Sequence, residues 1–142
     1  MLIIHPILQS VTTLLALYVL LLGAGRFRRL HLRQRSLFKW QRHVWLGTVT
    51  LLLWFFGLVF GLVMVKVYWH GFFITGNHGK RLVIFLPLLL FGLISGWYMH
   101  THKKKRIILP LIHGSANLLL IILALLQAKT GWQVYKDFVL GQ

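Results

Sequence analysis

Residues 43–65 read HVWLGTVTLLLWFFGLVFGLVMV, and this stretch decides the fold. After His43 come 22 positions, Val44–Val65, with no charge and only Thr48 and Thr50 carrying a hydroxyl. A run of about 18 or more apolar residues is long enough to cross a bilayer as a helix. Three more runs resemble it: Met1–Ala24, Leu82–Met99 and Ile107–Leu126. Each has a histidine at or near its start, namely His5, His78 and His113. The chain therefore reads as an all-α four-helix transmembrane bundle, a single domain with helices at about 2–24, 41–68, 77–99 and 106–128.

Composition agrees with this. Of 142 residues, 58% are hydrophobic, 12% are charged, and Asp137 is the only acid. Soluble domains carry roughly a quarter charged residues. The net charge of +15 does not imply nucleic acid, because the basic residues lie in short loops rather than on one face. The first loop holds Arg26, Arg28, Arg29, Arg33, Arg35, Lys39 and Arg42, and the third holds Lys103, Lys104, Lys105 and Arg106. By the positive-inside rule these loops are cytoplasmic and both termini lie on the non-cytoplasmic side. Met1–Ala24 lacks a basic start and a small-residue cleavage site, so it reads as a mature span. With no cysteine, iron–sulfur and thiolate zinc sites are excluded. With one acid, in the tail, carboxylate acid–base chemistry is excluded too.

In an antiparallel bundle the helix starts alternate between faces. His5 and His78 then share the outer face, and His43 and His113 the inner. Spacings of three and four mark one side of a helix. From the histidines they pass through Gly23; Gly47, Gly57 and Gly61; Gly92 and Gly96; Asn117 and Gly131. Small residues on a transmembrane helix mark packing faces. An ionisable ring on the same face is costly in lipid and points to a partner or cofactor. A lone interfacial histidine more often bonds a carbonyl or water. Four at alternating starts, on matching faces, favour ligation: two bis-His b haems, one near each face, with irons roughly 15–20 Å apart across a ~30 Å core. Arg42 and Arg106 flank the inner pair, and Lys80 and Arg81 the outer, as candidates for the haem carboxylates. His31, His70, His100 and His102 read as solvated, with His100 a competitor of His43. No strong internal repeat is evident beyond the recurrent placement of the histidines.

Several short stretches carry a resemblance: His5-Pro6, Arg42-His43-x-x-x-Gly47, Thr75-Gly76-Asn77-His78-Gly79 and His113-Gly114-x-x-Asn117. With them the chain resembles a family of small four-helix membrane proteins of unknown function, frequent in photosynthetic bacteria and of cyanobacterial type. More loosely, it is similar to the di-haem core of cytochrome b561 and ferric-reductase-like transmembrane proteins. That similarity implies a transmembrane oxidoreductase with His43 and His113 on an inner haem and His5 and His78 on an outer one. It departs from the b561 pattern in having only four spans and a first ligand at position 5. The expected partners are membrane lipid, a second copy or a larger complex, and an electron donor and acceptor of the quinone, ascorbate-like or redox-protein kind. The expected location is a bacterial inner membrane or thylakoid. The alternative is a non-enzymatic assembly or pigment-binding subunit, with histidines ligating chlorophyll magnesium singly.

Overall fold

The computed structural model describes residues 2–141 and is helical nearly throughout, so Met1 of the first apolar run lies outside the described residues. The elements are α1 (Ile4–His31), α2 (Trp40–Trp69), α3 (Asn77–Lys80), α4 (Leu82–Thr101), α5 (Ile108–Tyr135) and a closing π-helical turn, Lys136–Leu140. The spans Ile4–His31, Trp40–Trp69, Asn77–Thr101 and Ile108–Leu140 are long and apolar enough to cross a membrane, with mean hydropathies of 2.0, 2.4, 2.1 and 2.1. Apolar side chains cover the outside of the bundle, as lipid contact requires; Leu14, Leu21, Phe56, Ile94 and Ile108 are all exposed. In lipid, helices satisfy their own backbone polar groups, so sequences with weak helix propensity still stay helical.

This explains two differences from the boundaries expected from sequence. Gly23 and Gly25 do not end α1, which continues to His31. Gly25 instead admits another segment: a Cβ there would stand 2.8 Å from the Leu37 carbonyl oxygen, and Ser36 Oγ donates to the Gly25 carbonyl at 2.6 Å. Nor does the last helix stop near residue 128. It runs through Lys129–Tyr135, so these residues belong to the bundle. The third span has a break at Arg81, between α3 and α4, while Pro87 sits inside α4.

α1 packs against α2 and α5, and α4 packs against the same two. The helices therefore form a ring in which α1 lies diagonal to α3/α4, and α2 diagonal to α5. An interior stripe fills this ring. Seven and eleven residues after each histidine stand Thr12 and Ala16, Thr50 and Trp54, Phe85 and Leu89, Leu120 and Ala124, and all eight are buried. Trp54 meets Phe85 edge to face at 5.6 Å. Leu89 and Leu120 are fully buried at the centre. Thr12 and Thr50 return their hydroxyls to the carbonyls of Leu8 and Leu46, both at 2.7 Å, which removes the polar cost of burying them.

A further regularity lies in the register. Gly23, Gly61, Gly96 and Gly131 each follow their helix's histidine by eighteen residues. That is about five turns at 3.6 residues per turn, so histidine and glycine lie on one face at opposite ends of the span. The helices are thus four copies of one pattern.

Candidate functional site: two histidine pairs

Antiparallel packing brings the histidine of one helix against the glycine of its neighbour. A Cβ on Gly23 of α1 would lie 3.0 Å from His43 Cε1 of α2, and one on Gly61 of α2 would lie 2.7 Å from His5 Cε1 of α1. The second hairpin repeats the exchange. A Cβ on Gly131 of α5 would lie 3.0 Å from His78 Cε1, and one on Gly96 of α4 would lie 3.4 Å from His113 Cε1. At Gly23, Gly61 and Gly131 a Cβ would crowd the imidazole, whereas at Gly96 it would make an ordinary contact.

The two hairpins then present their histidines across the diagonals of the ring. His5 and His78 have ring centroids 6.3 Å apart with planes at 86°. His43 and His113 have centroids 6.5 Å apart with planes at 75°. All four rings are half-buried. The ring of His5 is level with Gly57–Gly61 and that of His43 with Val19–Gly23. The pairs are therefore separated by roughly 21–27 Å along the bundle, about 14–18 residues at ~1.5 Å each, more than the 15–20 Å expected from sequence. The buried Thr, Trp, Phe and Leu stripe occupies the interval.

Each ring is oriented through Nδ1. His5 Nδ1 donates to the Gly57 carbonyl at 3.0 Å, and His43 Nδ1 to the Val19 carbonyl at 3.2 Å. His113 Nδ1 donates at 2.8 Å to Ser95 Oγ, whose own proton goes to the Phe91 carbonyl at 2.5 Å. His78 Nδ1 donates at 3.3 Å to Thr130 Oγ1, which in turn donates to the Leu126 carbonyl at 3.1 Å. These assignments put the proton on Nδ1 and leave Nε2 as an acceptor in all four rings. Among the described residues no hydrogen bond reaches Nε2 of His5, His43 or His78, and only a long 3.5 Å approach from Asn117 reaches that of His113. Asn117 is itself committed to the His113 carbonyl at 2.8 Å. Two rings whose Nε2 atoms are both acceptors cannot satisfy each other.

The structure places the expected cations unevenly. Arg81 is beside the outer pair: its guanidinium donates to the Leu126 carbonyl at 3.0 Å and to Thr130 Oγ1 at 3.2 Å. Lys80 is exposed. Arg42 is exposed and borders a shallow cleft with Tyr18, Gln41, Trp45 and Leu46. Arg106 folds back onto the His102 carbonyl at 2.9 Å and over the Tyr98 ring at 4.7 Å. Arg26, one of the first-loop cations, belongs to α1 and lies 5.7 Å over the Phe38 ring, which itself stands 5.5 Å from the His43 ring. His100 is exposed and lies against Trp40 at 5.5 Å rather than near His113.

Among the described residues no group of three or more His, Asp or Glu side chains gathers to hold a bare metal ion. A pair is sufficient for a metal that arrives in a macrocycle, because the ring supplies the four equatorial nitrogens. An iron held axially by two imidazole Nε2 atoms, at about 2.0–2.1 Å per bond, puts the ring centroids roughly 6.2–6.5 Å apart. The observed pairs, 6.3 and 6.5 Å, fit that requirement. The committed Nδ1 protons fit it as well, since a ligating imidazole normally donates its second N–H to a fixed acceptor.

Ser95 tests the role of that shell. In Ser95→Ala the His113 ring loses its acceptor while the helix keeps its apolar packing. Outer-shell partners of this kind contribute about 10–100-fold in metal affinity. If the two pairs take haem, titration of the purified chain with haem should show that loss at one site and none at the other.

No family model, no curated protein and no solved structure matches this chain.

Proposed function

We propose that the chain is a di-haem b-type membrane cytochrome that relays electrons across the bilayer. One observation carries the reading. Four histidines come together as two diagonal pairs at iron-bridging distance, each ring oriented through Nδ1 and each set against a glycine of the neighbouring helix. The same spacing argues against single histidines ligating separate chlorophylls, since rings 6.3 and 6.5 Å apart leave no room for two macrocycles.

Bound b haem supplies reversible one-electron chemistry between ferric and ferrous iron. The protein's part is positional. His5 and His78 would hold one haem, and His43 and His113 the other. A haem held by two imidazoles would favour electron transfer over oxygen activation. The buried stripe from Thr12 to Leu120 excludes water between the pairs and fixes their separation. With Arg26–Arg42 and Lys103–Arg106 at the His43 end, the positive-inside rule puts that pair on the cytoplasmic side and both termini outside. Electrons then pass between a cytoplasmic-side and an outer-side partner, of the quinone, small-reductant or redox-protein class. The membrane is a bacterial inner membrane or a thylakoid.

Pigment extraction and a reduced-minus-oxidised visible spectrum of the purified chain test the reading. Haem b with α and Soret bands is expected. Extraction of chlorophyll would move the function to pigment binding. Extraction of nothing, with no Soret band, would leave an assembly subunit.

A further inference from the structure

Arg26 is on α1 one turn beyond Gly23, against which the His43 ring packs. Residues three apart share a helix face, so its stem points toward the inner pair. Its guanidinium lies 5.7 Å over the Phe38 ring, and Phe38 in turn lies 5.5 Å from the His43 ring. Among the described residues, Arg26 Nε is the one buried side-chain nitrogen or oxygen without a hydrogen-bond partner. The protein cannot supply an anion there. Its sole acid, Asp137, is in the closing turn at the opposite end and accepts from Gln133 at 2.7 Å. A partly buried guanidinium with neither counter-charge nor acceptor is costly, and its planar fork matches an oxyanion.

We infer that Arg26 binds a carboxylate of the macrocycle seated between His43 and His113, as Arg81 is placed to do beside His78. This rests on the di-haem reading and adds to it the residue that sets the charge of the inner site. The register supports the assignment. Three residues beyond the other site glycines stand Met64, Met99 and Val134, so Arg26 is the only cation at that position. The same guanidinium chemistry would also accept a lipid phosphate, and the test separates the two sources.

The full chain is purified in detergent as wild type, Arg26→Gln, Arg26→Lys and Arg28→Gln, the last an exposed neighbour. Each haem's midpoint potential and the bound lipid phosphorus are measured. A cation beside a haem carboxylate favours the reduced iron. In Arg26→Gln the midpoint of one haem, the one lost in His113→Ala, should therefore shift to lower potential. Arg26→Lys should restore most of the shift, and Arg28→Gln should match wild type. Unchanged midpoints in Arg26→Gln would overturn the assignment while leaving the two haems in place. Unchanged midpoints with less bound phosphorus would assign the oxyanion to lipid. A wild-type chain without haem would overturn the di-haem reading and this one together. Should Arg26→Gln fail to assemble, Arg26→Met, which keeps an apolar stem of similar length, carries the same expectation, and an unchanged inner midpoint there would overturn the assignment.

Discussion

His113→Ala is expected to leave the chain folded with one haem instead of two. On the proposed di-haem reading the substitution removes one of the two histidines of the inner pair and leaves His5 and His78, roughly 21–27 Å away, untouched. It also frees Ser95 Oγ, which keeps its own bond to the Phe91 carbonyl, so no buried hydroxyl is orphaned. The half-buried position shrinks to alanine, which transmembrane packing tolerates well. Haem content measured against chain concentration should fall by half, and the remaining haem should keep its midpoint. His43→Ala should give the same species. His5→Ala and His78→Ala should give the complementary one. Two haems in His113→Ala, or losses that pair His43 with His78, would contradict the diagonal pairing.

The second large effect requires no change to a ligand. In Gly61→Leu the new side chain enters the space of the His5 ring, which a Cβ alone would approach to 2.7 Å. The ring cannot move aside and still hold its 3.0 Å bond to the Gly57 carbonyl and its 6.3 Å distance to His78. The outer haem should be lost although all four histidines remain. Gly131→Leu should behave alike from the opposite helix, through His78. The control is Gly114→Leu, beside a ligand in sequence but with nothing within 4 Å of the added Cβ. It should keep both haems and the wild-type spectrum. Retention of the outer haem in Gly61→Leu would show that the glycine register serves helix contact alone.

These two results probe different levels of what the sequence discloses. The spans were legible because lipid imposes length and apolarity on every one of them, as in Val44–Val65. The sharing of ends by His5 with His78, and by His43 with His113, was legible too, since it follows from alternation in an antiparallel bundle. The glycine partners were not. Gly23 and Gly25 can serve equally as a helix end or as a place of close approach, and only the facing helix distinguishes the two. Gly131 lies on the His113 face in sequence, but that it and Thr130 meet His78 depends on how α3 packs against α5. Loop charge shows which end is basic but not which cation turns inward. Arg26 does so because α1 continues past Gly25 and Phe38 covers it, whereas Arg42 faces out and Arg106 folds back on its own loop.

The haem-to-chain ratio of the purified protein, read together with the low-temperature electron paramagnetic resonance of its oxidised form, tests the central claim most directly. Two b haems per chain are expected, both low-spin, as ligation by two imidazoles would require. With ligand planes at 86° and 75°, both signals should be strongly anisotropic. A chain without haem, or one whose single haem is high-spin and survives His43→Ala and His113→Ala as well as His5→Ala and His78→Ala, would contradict the account.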